Sequence, residues 1–255
     1  MAITQGVSGS NDRMSIGQTV EQLVIANKIL SNEGIFDFLG HVSARNPENP
    51  GTFFISRAIS PETVTKNDIL EVDLNGNVVT ETDMKPYMER IIHGAIYKAR
   101  PDVGAIVHAH PLQLVTLSVA NVPFRPVTHP SAIFYAGVPV YNGYDFSSPG
   151  NTGMLVTTQE EGDRIAQLLG PCRAMLMRGH GCNVVGASIP AMVHAVIVLR
   201  DSTVVLLNAM QVGQPIYLTD EEAKSSAWTI DIGVERAWNY YVARAKKAFP
   251  DLGIA

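Results

Sequence analysis

The sequence predicts an α/β protein folded as one domain, and three observations carry that expectation. Apolar residues recur at helical spacing in several long segments. Short apolar or alternating stretches bounded by turn residues lie between them. No repeat and no Pro/Gly/Ser-rich linker divides the 255 residues. Hairpin cues between neighbouring strand candidates make a purely parallel, doubly wound sheet a poor fit.

Taken in order, residues 1–15 (MAITQGVSGSNDRMS) are polar, lack the apolar core of a signal peptide and read as a loose tail ahead of a domain over residues 16–255. Ile16 to Asn32 carries a helical stripe through Ile16, Val20, Leu23, Val24 and Leu30, and Gly34 is placed to stop it. HVSARNP and TFFIS are strand candidates, and PETVTKNDI has the composition of a turn that could hold one helical turn. LEVDLNGNVV alternates on both sides of Asn75-Gly76, a hairpin cue. Met88 to Ala99 repeats apolar residues at three and four, and Pro101 ends it. A strand AIVHAH, a helix through LQLVTLSVA, and strands at VPVYNG and AMLMRGHGCNVVG follow. Glu160 to Leu169 and the mostly apolar Ile189 to Gln211 read as helices, and Thr219 to Lys247 reads as a helical tail with Trp228, Trp238, Tyr240 and Tyr241.

The composition narrows the function classes. Apolar residues make up 46% and charged residues 17%, which suits a domain with a sizeable core. The formal net charge is −5 with no basic block, which argues against nucleic-acid and anionic-membrane partners. No uncharged apolar run approaches the roughly 18 residues of a membrane span. Cys172 and Cys182 lack CxxC spacing and read as small buried hydrophobes in a reducing, cytoplasmic setting.

Among seven histidines, His108 and His110 stand out. In a strand, residues i and i+2 share a face, so the pair sets two imidazoles about 6–7 Å apart, a spacing that can converge on one ion. The pair alone leaves two readings open: half of a metal site, or two unrelated polar residues at a strand end. His180, between Gly179 and Gly181, is a third candidate, since glycines permit the backbone angles that aim a ring. Three histidines would form a facial set around Zn²⁺, Mn²⁺, Co²⁺ or Fe²⁺. Glu89 is the candidate carboxylate, as ligand and as acid/base.

The order GHVSAR, ISRAISPE, DLNG, PYMERIIHGAIYKARPDVGAIVHAH and MRGHG resembles the class II aldolase/adducin family over about Ile16 to Gln211. The resemblance implies a three-layer α/β/α fold around a mostly antiparallel sheet. It also implies a homotetramer or larger ring with sites between subunits, His108, His110 and His180 as metal ligands, and Glu89 as acid/base and further ligand. Adducin-like members have lost metal ligands; this chain keeps all of them, which favours an enzyme over an interaction module.

The chain departs from the family's sugar-phosphate enzymes at the phosphate-gripping positions. A Ser-Ser pair is replaced by Tyr87 and Met88, a Gly-Asn-x-Ser strand reads Gly40-His41-Val42-Ser43, and the phosphate loop reads ISRAISPE. Bulk and apolar surface in place of small donors suit an aromatic ring. The pattern resembles the branch of metal-dependent decarboxylases acting on hydroxylated aromatic dicarboxylates. On that resemblance the substrate is a small aromatic carboxylate. His41, Ser43 and Arg57 are candidates for its second carboxylate, with Arg45 as a further cation near them. Tyr135 and Tyr240 or Tyr241 are candidates to reach a neighbouring subunit's site. His93 is expected either to orient Glu89 or to be a satisfied buried histidine, His129 to lie at a site edge or elsewhere, and His194 to be structural.

Overall fold

The computed structural model describes residues 14–146 and 154–250, so the expected N-terminal tail lies almost wholly outside the described residues. Helix α1 (Ile16–Asn32) opens on a capping box. The Ser15 side chain accepts from the Gln18 N–H, and the Gln18 side chain accepts from the Ser15 N–H. The chain then forms β1 (His41–Arg45), β2 (Thr52–Ser56), two short 3₁₀ turns (Pro61–Thr63 and Lys66–Asp68) and β3 (Ile69–Asp73). Helix α2 (Arg90–Ala99) leads to β4 (Ala105–Ala109) and α3 (Leu112–Val119). A 3₁₀ turn (Pro130–Phe134), β5 (Val140–Tyr141), α4 (Gln159–Leu169), β6 (Ala174–Met177) and β7 (Gly181–Gly186) follow. Helices α5 (Ile189–Val212), α6 (Asp220–Asp231) and α7 (Val234–Ala248) complete the order.

The seven strands form one sheet in the order β3-β2-β1-β4-β7-β6-β5. Every neighbouring pair is antiparallel except β5 with β6. Alternation along the strands divides the core into two apolar layers. Val42, Phe54, Ala105, Val107, Leu176 and Val184 point to one side and pack with α1, α3 and α5. Phe53, Ile55, Ile106, Met175 and Val185 point to the other and pack with α2 and α4. This is the expected α/β/α sandwich around a mostly antiparallel sheet. Helix α5 is long and apolar enough to cross a membrane by length and composition alone, but much of it is buried against β4 and β7.

Two expectations change. The Asn75-Gly76 turn returns the chain, but the second arm makes only an isolated bridge between Val72 and Val78 rather than a strand. Asp73 takes over the turn's backbone donors, accepting from the N–H groups of Asn75 and Asn77. The helical tail is two helices, broken at Ile232 and Gly233, where the Gly233 N–H turns back to the Ile230 carbonyl. Glycine is a poor helix interior residue, and the break lets α7 swing onto α1 and α5 while α6 packs on the Pro130–Phe134 turn.

Candidate metal centre

On the α2-facing side of the sheet the apolar layer gives way to polar residues at the middle strands. The β1–β4 register sets His41 opposite His108, and the β4–β7 register sets His108 opposite Asn183. Directly opposed residues share a face, so three polar side chains from three strands meet there. His110 lies one residue beyond the end of β4 and keeps to the same side as His108.

His180 comes from the turn between β6 and β7. Gly179 has φ +65°, in the left-handed region, which closes this turn after Met177. Gly181 serves close approach: a Cβ there would stand 2.3 Å from the Ala109 carbonyl oxygen and 2.7 Å from His110 Cδ2. The two glycines around His180 thus bring its ring alongside His110, stacked at 5.1 Å between centroids.

Glu89 occupies the N-cap position of α2, where the helix dipole favours a carboxylate, and is buried. Its Oε1 accepts the Val156 N–H at 3.0 Å. Its Oε2 lies 3.4 Å from His108 Nε2 and 3.5 Å from His180 Nε2, and His110 Nε2 is 3.0 Å from His108 Nε2. Adjacent donors around an ion at 2.0–2.1 Å are roughly 3.0 Å apart in an octahedron and roughly 3.3 Å in a tetrahedron. These three separations match that scale, and all four ligand atoms lie within 4.8 Å of one another.

The hydrogen bonding behind His108 supports the same reading. Its Nδ1 faces the Asn183 Oδ1 at 2.9 Å, both residues being fully buried, and the Asn183 amide nitrogen is turned to the Met177 sulfur. With the Nδ1 proton donated to Asn183, neutral His108 presents a bare lone pair at Nε2 toward the Glu89 carboxylate. Two electron-rich atoms at that distance are stable only with positive charge between them, so the donor set fits a divalent cation. Burial pushes His108 down to about 3, an effect Glu89 only partly offsets, which keeps the ring neutral and able to ligate. Burial also opposes charge on Glu89, but His108, His180 and the Val156 N–H outweigh it and carry the carboxyl down to about 2. Nitrogen-rich ligation with one carboxylate suits Zn²⁺, Mn²⁺, Co²⁺ or Fe²⁺ alike.

Glu89, His110 and His180 border a cleft of about 480 Å³, and His108 lies fully buried behind them. Leu39, Met88, Met154 and Leu155 supply apolar wall, and Tyr87 an aromatic one. Tyr87 is anchored by donating its hydroxyl to the Ile59 carbonyl, and its ring lies 4.6 Å from that of His41, which also lines the cleft.

The other residues nominated from the sequence go elsewhere. Ser43 is fully buried behind His41 and does not line the cleft, because β1 turns it toward α2, where it bonds His93 and Tyr97. Arg57 is held at Asp68 by a 2.6 Å ion pair and is absent from the cleft wall. Arg45 clasps the carbonyls of Val103, Pro50, Tyr97 and Arg100. Tyr135 and Tyr240 are exposed and away from this chain's cleft; Tyr240 borders a separate cavity with His129 and His194. His129 bonds Thr229, and His93 bonds His41 rather than Glu89. Asn183 escaped sequence reasoning, although one amide inside the apolar strand GCNVVG was a usable signal.

The chain matches the model of the class II aldolase and adducin N-terminal domain over residues 21–207 and belongs to that family. Among its curated relatives is the decarboxylase tropJ of Talaromyces stipitatus, 27% identical over 84% of this chain and 89% of that protein. The 3,4-dihydroxyphthalate decarboxylase of Arthrobacter keyseri is 27% identical over 90% and 94%. Among solved structures, the L-fuculose 1-phosphate aldolase of Glaciozyma antarctica superposes with a TM-score of 0.76 at 24% identity, covering 98% of this chain and 96% of that one, a likeness of fold.

Proposed function

We propose that this chain is a metal-dependent carbon–carbon lyase that decarboxylates an ortho-hydroxylated aromatic dicarboxylate, on a benzene or pyridine ring. The observation that carries the reading is the union of two features in one cleft. A three-histidine, one-carboxylate donor set meets the cleft through Glu89, His110 and His180, and Tyr87 and Met88 stand where phosphate-gripping serines would favour a sugar phosphate. The decarboxylase relatives support the same choice.

His108, His110, His180 and Glu89 would hold the metal, which when bound supplies Lewis acidity to the ring hydroxyl and its neighbouring carboxylate. Tyr87, Met88 and Leu155 flank the ring and exclude water from it. His41 faces the second carboxylate. Cleavage breaks the bond between ring and carboxylate, the electron pair stays with the ring, CO₂ leaves, and one proton is delivered to the ring carbon. Glu89 is the proton carrier: ionised at rest, it takes one proton from solvent water and passes it to the ring carbon, while the Val156 N–H fixes its Oε1 and so its aim. Tyr135 and Tyr240 are assigned to a neighbouring copy's cleft in a homotetramer or larger ring.

Incubation of metal-loaded protein with a panel of hydroxylated phthalates and pyridine dicarboxylates tests the proposal. CO₂ release without an aldehyde or pyruvate is the expected result. An aldehyde product would make it an aldolase on a non-phosphorylated substrate, and oxygen consumption an iron oxygenase. Protein that retains no divalent metal and loses no stability on chelation would favour an adducin-like interaction module.

A further inference from the structure

Behind the cleft wall lies a continuous chain of hydrogen bonds that the metal set does not use. His41 Nδ1 meets His93 Nε2 at 2.7 Å, His93 Nδ1 meets Ser43 Oγ at 2.6 Å, and Ser43 Oγ meets the Tyr97 hydroxyl at 2.9 Å. None of the four side chains is more than 3% exposed. The chain joins β1 to α2, with Phe53 packed over both the His93 and Tyr97 rings. One end opens to the cleft, where His41 offers Nε2; the other ends at Tyr97, whose hydroxyl has Ser43 as its sole partner among the described residues.

That dead end gives the chain a direction. Each neutral imidazole has one N–H and one lone pair, and each hydroxyl has one proton. If Tyr97 donates to Ser43, then Ser43 donates to His93 Nδ1, His93 donates from Nε2 to His41 Nδ1, and the His41 proton sits on Nε2. Every buried donor of the chain is then used, and only the His41 Nε2–H is left, facing the cleft. In the reverse direction Ser43 donates to Tyr97 and the phenolic proton is left buried without an acceptor, an arrangement that folded proteins avoid. We infer that Tyr97, Ser43 and His93 are positioning residues that lock His41 as its Nε2–H tautomer, so that the cleft presents a neutral donor of fixed orientation. Such a group selects a substrate oxygen that only accepts, as a carboxylate does, and discriminates against an ammonium or another bare donor. The identification of that oxygen with the second carboxylate rests on the decarboxylase reading; the tautomer does not.

The tautomer can be read directly. Nitrogen-15 correlation spectra of the histidine rings in zinc-loaded protein without substrate should show His41 and His93 both protonated at Nε2 with Nδ1 bare. Protonation of either at Nδ1 overturns the inference, whatever reaction the enzyme performs. Binding of phthalate, which has two carboxylates and no hydroxyl, provides the second arm. Ser43→Ala should weaken it by roughly ten-fold, the loss of one well-aimed charge-assisted bond, and should mix the His41 tautomers. In a His41→Ala background the same substitution should change nothing further. Independent, additive losses would reduce Ser43 to a packing role and overturn the relay. If Ser43→Ala does not fold, the wild-type spectrum still decides. Failure of the substrate panel alongside Nε2–H histidines would sink the decarboxylase and leave the relay standing.

Discussion

Replacing Asn183 by alanine removes the acceptor that fixes the back of His108. The 2.9 Å bond joins two fully buried side chains that stand directly opposite one another on paired strands. In the metal-free protein the orphaned Nδ1–H costs about 1–3 kcal/mol of stability. In the metal-bound protein the ring loses its set tautomer and orientation, which weakens metal affinity by roughly ten- to hundred-fold. At zinc about 100 times the wild-type Kd, binding stabilises the wild-type fold by about 2.7 kcal/mol. A site ten-fold weaker retains about 1.4 kcal/mol and one a hundred-fold weaker about 0.4 kcal/mol. For a domain of this size the zinc-induced rise in Tm should therefore shrink by roughly 3–9 °C in Asn183→Ala. Thermal melts with and without zinc, together with competition against a fluorescent chelator, measure both terms. Equal zinc affinity in the two proteins would refute the role given to Asn183 and with it the assignment of His108 Nε2 as a ligand atom.

Glu89→Gln preserves shape but not the proton carrier, so CO₂ release should fall by roughly 10²–10⁴-fold while metal analysis shows a smaller loss than in His108→Ala; full turnover would exclude Glu89 as the carrier. Gly181→Ala forces a methyl against the Ala109 carbonyl and the His110 ring, and denaturant titration should show a loss of about 1–3 kcal/mol accompanied by weaker zinc binding. Burial pushes His93 down to about 3 and His41 well below its usual value. Below about pH 6.5 the unfolded chain takes up protons at these positions and the folded chain does not, so stability falls as pH falls. The slope in metal-free protein should steepen from about 0.7 kcal/mol per pH unit near pH 6.5 toward about 1.4 near pH 5 for each such histidine, read from denaturation midpoints; a flat profile would mean that these rings are not held neutral.

What could be read along the chain was what depends on near neighbours. The stripe from Ile16 to Asn32 gives α1 with its observed bounds, and TFFIS gives β2, because periodicity and burial are local consequences of helix and strand geometry. The same period of two put His108 and His110 on one side, although His110 proved to lie just past the strand. Ser43 and Arg57 went astray for a reason equally physical. A side chain's face on β1 can be counted from the sequence, but whether that face meets a cleft or a covering helix depends on where α2 docks, and Asp68 competes for Arg57 from a turn that sequence spacing does not place.

The sequence by itself determined most of the helices and strands, the family, and the residue types able to bind a metal, since these follow from local pattern and ordered motifs. Only the tertiary structure decided that Asn183 stands behind His108, that His93 serves His41 rather than Glu89, and that Tyr97 closes the chain. Those contacts join residues 75, 52 and 54 positions apart. They exist because antiparallel register and the packing of one helix on the sheet bring distant polar groups into a buried layer where each must find a partner.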